Sequence, residues 1–383
     1  MDGLVTNGPL RFFLDLPDPR AANIRYRLID LIVIAICAII CGCDSWDEVE
    51  DFAESKKKWF TSFLELRHGI PSQDTFERVF ARLDPQKFEG CFVNWMSSLV
   101  EISQGKLLAI DGKSIRRSFE KSWDKAGMAH MVSLFATENG QVLRQLKTRG
   151  KGSELPAILD LLKLVDLKGA VVTIDAIACQ KDVAETITDR GGDYILCVKD
   201  NQPTLHESVK KHMDELILER KDDPKQSPLD HENQIDSGHG RIERRKVWVT
   251  NRIDWLTQKD QWPGLASVVV VESSRTIPLE GTSVERRYYI SSLKEPEAKF
   301  VARAIRGHWA IENTLHHVLD VSFHEDESRV RKGHGPENLS RLRRIALNLI
   351  KVNGDKLGKR KSIKGRRKIA GWDHDFLLGL LSN

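Results

Sequence analysis

Along the first hundred residues the apolar positions recur with helical spacing. From Tyr26 to Ile40 ("YRLIDLIVIAICAII") they take nearly every position, which predicts a helix that is apolar all round and central to a core. "SWDEVEDFAESKKKWFTSFL" predicts an amphipathic helix opened by Ser45 as N-cap, with Glu48 three residues on as its capping-box partner. Residues 71–100 predict two further amphipathic helices, broken near Asp84 and Pro85. Residues 1–104 therefore read as an all-helical N-terminal domain.

At Lys106 the period changes. "KLLAIDG" predicts a strand, and "HMVSLFATENGQVLRQLKTRG" predicts two more around a turn at Asn139-Gly140. "ELPAILDLLKLVDL" has helical spacing, "GAVVTIDAIAC" is a fourth strand ending in Asp, "QKDVAETITDRGG" is a helix stopped by glycines, and "DYILCVK" is a fifth strand. The order is β-β-β-α-β-α-β, an α/β fold. Strand–helix–strand crossovers make the later strands parallel to the first. The strands at 106–110 and 170–174 then deliver Asp111 and Asp175 to one carboxyl edge, where open α/β sheets hold their chemistry.

After a helix near 203–221 the chain is polar to about Gly240. Three strand-like runs follow ("RRKVWVT", "LASVVVVES", "VERRYYISSL"), and together they suggest an antiparallel β insertion at about 223–295. Helical period returns near Pro296 and lasts to about Lys351, which closes a central domain at 105–350.

Composition narrows the class. The chain has 383 residues, 40% hydrophobic and 30% charged, as expected of a folded soluble protein with two or three domains or one domain with a large insertion. A net charge of +4 is uninformative, but its distribution is not. Residues 351–368 carry nine Lys/Arg against one Asp, and residues 341–344 read "RLRR". Residues 351–383 thus read as a basic C-terminal tail, either merely solvated or a phosphate-binding arm. Six cysteines form no C-x-x-C pair, so neither a zinc knuckle nor a redox pair is indicated. Cys37, Cys41 and Cys43 read as small buried residues of an apolar helix. The longest apolar run, Leu31 to Cys41, is too short to span a bilayer. With no signal peptide evident, the expectation is a cytoplasmic protein without a membrane partner.

"KLLAIDGKSIRRS" resembles a phosphate cradle at first sight. A P-loop needs a glycine five residues before Gly112, and that position is Leu107, so the cradle is excluded. Asp111 remains, at a strand end. "HWAIENTLHHVLDVSFHED" (residues 308–326) adds Glu312 on the last long helix. Two strand-end aspartates and one helical glutamate are a hard oxygen set suited to Mg²⁺ or Mn²⁺. Two such ions about 3.5–4 Å apart can assist an in-line displacement at phosphorus. The alternative is a zinc hydrolase. His308, Glu312 and His316 are spaced i, i+4, i+8, with His317 and His324 nearby, but the H-E-x-x-H pattern is missing.

"AIDGKS", "TIDAIACQ", "VKDNQ" and a late "HWAIEN" helix, in this element order, resemble the DDE transposases of bacterial insertion sequences, and within them the H-repeat-associated group. "FLDLPDPRAANIRYRLIDLIVIAICAIICG" and "GIPSQDTFERVF" resemble that group's N-terminal associated domain; "YYISSL", "HWAIENTLHHVLDVSFHEDESRVRKG" and "RRIALNLI" resemble its core. The resemblance covers about residues 10–380. It implies an RNase H-like mixed sheet flanked by helices, with Asp111, Asp175 and Glu312 as catalytic and metal-binding residues. It also implies two Mg²⁺ or Mn²⁺ ions. Its implied partner is double-stranded DNA, both terminal inverted repeats and target, held by a homodimer on paired ends. The wider superfamily's Tyr–Arg–Glu–Lys signature is replaced here by Ile305, His308, Glu312 and Leu319. Arg303, Arg306, His308 and His316 are left as candidates for gripping phosphates, together with Lys199, Asn201 and Gln202 after the fifth strand. A catalytically inactive DNA-binding remnant is the other alternative.

Overall fold

The computed structural model describes residues 8–22, 24–99, 106–118, 128–148, 150, 152–222, 227–238, 240–278, 280–354, 356–357 and 361–382. The expected boundary at 104–105, the start of the strand-rich segment at 223, and Lys359 and Arg360 of the basic run lie outside them. Helix α1 (Leu28–Cys41) is buried on every side, as its unbroken apolar run predicts. Its one acid, Asp30, is fully buried and ion-paired with Arg27 at 2.8 Å. Helices α2 (Trp46–Ser55), α3 (Gln73–Arg82) and α4 (Pro85–Leu99) follow, with the break at Asp84–Pro85 where it was expected. The capping box does not form. Ser45 makes no side-chain cap, and Glu48 Oε2 instead accepts from the Asp44 backbone N–H at 2.6 Å.

Strands β1 (Leu107–Ser114), β2 (His130–Ala136) and β3 (Gln141–Lys147) make the antiparallel meander, turning at Gly140 with φ 64°. Helix α5 (Glu154–Lys163), β4 (Val171–Ile174), α6 (Lys181–Asp189), β5 (Asp193–Val198) and α7 (Pro203–Asp222) complete the expected order. β4 runs parallel to β1, and β5 parallel to β4.

The region expected to be a three-stranded insertion has four strands: β6 (Asp230–Gly238), β7 (Arg241–Thr250), β8 (Ser267–Ile277) and β9 (Gly281–Ser291). β6 lies in the stretch read as a polar loop. Its side chains alternate between half-buried and exposed with no fully buried position, so hydrophobicity carried no signal; its ladder with β7 creates it. β9 pairs antiparallel with β5, so all nine strands form one mixed sheet in the order β3-β2-β1-β4-β5-β9-β8-β7-β6.

The sheet's two faces bury two apolar clusters. One holds α1, α5, α6 and α7 with residues such as Leu108, Leu196 and Val270. The other holds α8 (Ala298–Ile311), whose Ala298, Val301, Ala302 and Ile305 meet Val247, Val269 and Tyr289. α8 continues through a π turn (Glu312–His316) into α9 (His317–Phe323). From α8's last residue onward the same helix changes sides, because Ile311, Leu315, Leu319 and Phe323 join the first cluster.

Helices α10 (Gly335–Gly354), α11 (Ile363–Trp372) and α12 (His374–Ser382) correct the reading of the C-terminus. The "RLRR" run is not a phosphate arm. Arg341 and Arg344 are buried and paired with Glu89 at 2.5 Å and Glu325 at 2.8 Å. Part of the basic tail is likewise packed, through Lys351, Arg366 and Arg367, whereas Lys356, Lys361, Lys364 and Lys368 are exposed. Lys351 donates to the Gly140 carbonyl, and burial pulls its ammonium down to about 8. Arg367 caps the end of α1 through the Ile39 and Ile40 carbonyls, and Leu377, Leu380 and Leu381 are fully buried. The helical N-terminal region and these C-terminal helices share one core. Among the described residues, no single helix is long and apolar enough to cross a membrane.

Candidate active site

Register brings the two aspartates together. The parallel β1–β4 ladder ends at Ile110↔Ile174, and Asp111 and Asp175 are the next residue on each strand. β1 itself does not stop there, contrary to the expected strand end. Its pairing with β2 runs on to Ser114↔His130, so Asp111 is held by a ladder on one side and open on the other. Asp175 leaves β4 and caps a short 3-10 turn by accepting from the Ala176 N–H at 2.7 Å.

Glu312 begins the π turn of the α8–α9 helix. Such turns shift the helical register and recur at functional sites. Asp111, Asp175 and Glu312 line one cleft of about 580 Å³, together with His308, Lys199 and Arg287. Burial pushes the Asp111 carboxyl up to about 7, opposed by the Gly112 N–H and reinforced by the negative charges of Glu312, Asp175 and Glu154. Lys199 Nζ lies 3.7 Å from Asp175 Oδ1 and is half exposed. Among the described residues, no three His, Cys, Asp or Glu side chains are gathered closely enough to hold a metal ion as they stand. The three carboxylates nevertheless fit a hard divalent cation. They are all oxygen donors, and their negative charge adds to the burial that raises Asp111.

The other sequence-predicted residues divide. His316 does not face outward to grip phosphate; its Nδ1 lies 3.5 Å from Asp111 Oδ2, and burial with Arg344 and Lys113 nearby lowers its imidazole to about 4. His308 is turned into the cleft, with Nδ1 3.3 Å from Thr173 Oγ1, and burial lowers its pKa. Asn201 and Gln202 spend their amide donors on the loop after Asp175: Asn201 Nδ2 donates to the Ala176 carbonyl at 2.7 Å and Gln202 Nε2 to the Cys179 carbonyl at 3.1 Å. Both therefore hold that loop in shape. Arg303 is exposed and lies over the Phe300 ring at 5.3 Å. Arg306 pairs with Asp236 of β6 at 2.8 Å. The zinc reading loses its fourth histidine, because His324 Nδ1 is 2.6 Å from Asp44 Oδ2.

Three features escaped the sequence. Lys113 of "DGKS" is buried against Asp320 at 2.7 Å and Asp326 at 3.0 Å, which ties β1 to the helix carrying Glu312. A Cβ on Gly112 would stand 2.7 Å from His130 Nε2, so only glycine lets His130 and Glu154 crowd the strand beside Asp111. Arg287 and Tyr289 of β9 wall the cleft. The "ERRYY" run advertised a strand but not which face its alternate residues would take.

Asp111 on β1, Asp175 just past the end of β4 and Glu312 at the π turn thus bring three carboxylates to one cleft of a mixed sheet. Residues 102–349 match the family model "Transposase DDE domain", and residues 10–96 match "DDE_Tnp_1-associated". The chain belongs to the DDE transposase family. It is 40% identical over 91% of its length to "Putative transposase YncI" of Escherichia coli O157:H7, covering 89% of that protein. It is 36% identical over 96% of its length to "H repeat-associated putative transposase YhhI" of Escherichia coli K12, covering 96% of that protein. Among solved structures it is similar to a piggyBac transposase synaptic complex with hairpin DNA, at 11% identity and TM-score 0.45, over 97% of this chain and 77% of that one.

Proposed function

We propose that the protein is an active DNA transposase that cleaves a phosphodiester at each end of its insertion sequence and joins the freed 3′-hydroxyl to target DNA. The observation that carries the reading is the shared register of Asp111 and Asp175, with Asp111's carboxyl raised by burial and, to a lesser extent, by Glu312 and Asp175 in the same cleft. On this reading β1–β5 are the RNase H-like core, β6–β9 an extension of it, and the N-terminal helices help bind the element's ends. The protein works on double-stranded DNA in the cytoplasm, as a homodimer that holds two ends together.

Asp111, Asp175 and Glu312 would hold Mg²⁺ or Mn²⁺, the hard cations their oxygens select, as a pair of ions. Bound there, such ions polarise a phosphoryl oxygen and lower the pKa of attacking water. An open carboxylate set suits them, since Mg²⁺ is commonly held by one or two carboxylates plus substrate phosphate and water. The chain's own residues do the positioning. Asn201 and Gln202 fix the loop after Asp175, His316 stands beside Asp111 as a neutral neighbour, and the Lys113 pairs fix β1 against the Glu312 helix.

The test is nicking of a labelled duplex carrying the inverted repeat found beside the gene, with Mg²⁺, Mn²⁺, Zn²⁺ or EDTA. A nick at the repeat boundary with Mg²⁺ or Mn²⁺ is expected. Binding without a nick would make this an inactive copy, and activity with zinc alone would return the site to the histidines.

A further inference from the structure

A second and larger depression, about 1,540 Å³, opens beside the carboxylate cleft between α8 and the far half of β7–β9. It arises from a mismatch of lengths. α8 covers the sheet only as far as Val247, Val271 and Tyr289, whereas β7, β8 and β9 continue for several residues past it. On the uncovered part the same face of the strands carries polar groups in cross-strand rows: Arg245↔Ser273↔Glu285, then Glu243↔Arg275↔Ser283. Six arginines line the depression (Arg241, Arg244, Arg245, Arg275, Arg287 and Arg306) against two glutamates, Glu243 and Glu285.

The two spaces adjoin. Arg287, Tyr289, Ile305 and Trp309 wall both. Several of the arginines are held ready by acids rather than consumed by them. Arg241 and Arg245 share Glu243, Arg245 and Arg306 share Asp236, and Arg287 pairs with Glu285. These pairs are partly solvated, so each contributes little and exchanges readily for a phosphate, which the planar guanidinium fork fits two oxygens at a time. Arg275 is exposed.

We infer that this arginine-lined groove binds the phosphate backbone of duplex DNA where it leaves the carboxylate cleft. The inference rests on the transposase reading, which requires a phosphodiester at Asp111, Asp175 and Glu312. B-DNA carries one charge per about 1.7 Å of axis, so the phosphates next to the one being cut must also be met. The groove is an adjoining basic surface, and it assigns phosphate contact to residues of β7–β9 in place of the packed "RLRR" run.

The experiment measures equilibrium binding of a 40-base-pair duplex in EDTA across a salt series, so that cleavage plays no part. It compares wild type, Arg241→Glu with Arg275→Glu, and Lys163→Glu, an exposed charge on the opposite face of the sheet. The double variant should lose at least tenfold in affinity, its log–log salt slope should fall by about 2, and Lys163→Glu should match wild type. Wild-type melting temperatures in both variants would confirm that the fold is intact. Equal affinity and slope in the double variant would overturn the groove while leaving the transposase reading in place. A wild-type protein that binds no duplex at all would overturn both.

Discussion

Two clusters of charge sit a few residues apart on β1, and they are built on opposite plans. Lys113 enters a layer in which acids and bases are matched: Glu325 is fully buried, yet Arg344, Lys113 and Arg343 outweigh the cost of its burial and hold its carboxyl down at about 2. Asp111, two residues earlier, faces carboxylates, and burial with their repulsion drives it up to about 7. The same strand thus contributes one group to a compensated framework and one to an uncompensated cleft. Frameworks satisfy their charges, whereas carboxylates left facing one another in a cleft, with Asp111 driven up among them, form the place we propose receives a cation and a phosphate.

The sharpest way to break that comparison is to neutralise either side. Asp111→Asn, Asp175→Asn or Glu312→Gln should each reduce cleavage on the order of 10³-fold or more in the nicking assay while DNA binding persists. Full cleavage by Glu312→Gln would remove it from the set. On the framework side, Arg344→Ala leaves Glu325 buried without its main partner and should lower stability by about 3–5 kcal/mol in urea unfolding. Asp111→Asn should do the reverse, raising stability on the order of 2 kcal/mol at pH 8 without divalent cations, because it removes a disfavoured buried charge. A loss of stability there would mean the cleft is compensated after all.

The pH dependence follows from Glu325. Its folded pKa lies below its ordinary value of 4.5, so the stability it contributes is complete above about pH 4.5 and is lost as pH falls towards about 2. The gap in unfolding free energy between wild type and Glu325→Gln should therefore narrow over that window; a constant gap would show that Glu325 acts through shape alone. The smallest effect belongs to Asn201. Asn201→Ala should slow cleavage about tenfold with duplex affinity unchanged, since it loosens the loop behind Asp175 rather than a DNA contact.

The sequence made the uncompensated side legible and hid the compensated one. Asp111, Asp175 and Glu312 stand at a strand edge and on a helix, where periodicity and topology are enough to bring them together. α1 declared its burial through an unbroken apolar run. Charge counts, by contrast, cannot tell a solvated arginine from one that caps carbonyls inside a core. Arg341, Arg344, Arg366 and Arg367 therefore read as a phosphate-binding surface and proved to be buried. β6 has no apolar alternation to reveal it, because its partners are β7's backbone and salt-bridging arginines. The π turn at Glu312, which carries the helix from one cluster to the other, leaves no mark in a pattern read at 3.6 residues per turn.

The central claim is that the uncompensated carboxylates receive the cation. It is tested most directly by loading the protein–DNA complex with Fe²⁺ in place of Mg²⁺, adding ascorbate, and mapping by mass spectrometry where the polypeptide is cut by radicals formed at the ion. Cuts at β1 near Asp111, at the end of β4 near Asp175 and in the π turn at Glu312, all lost in Asp175→Ala, are the predicted result. Cuts that cluster instead around His317 and His324, or that persist unchanged in Asp175→Ala, would contradict it.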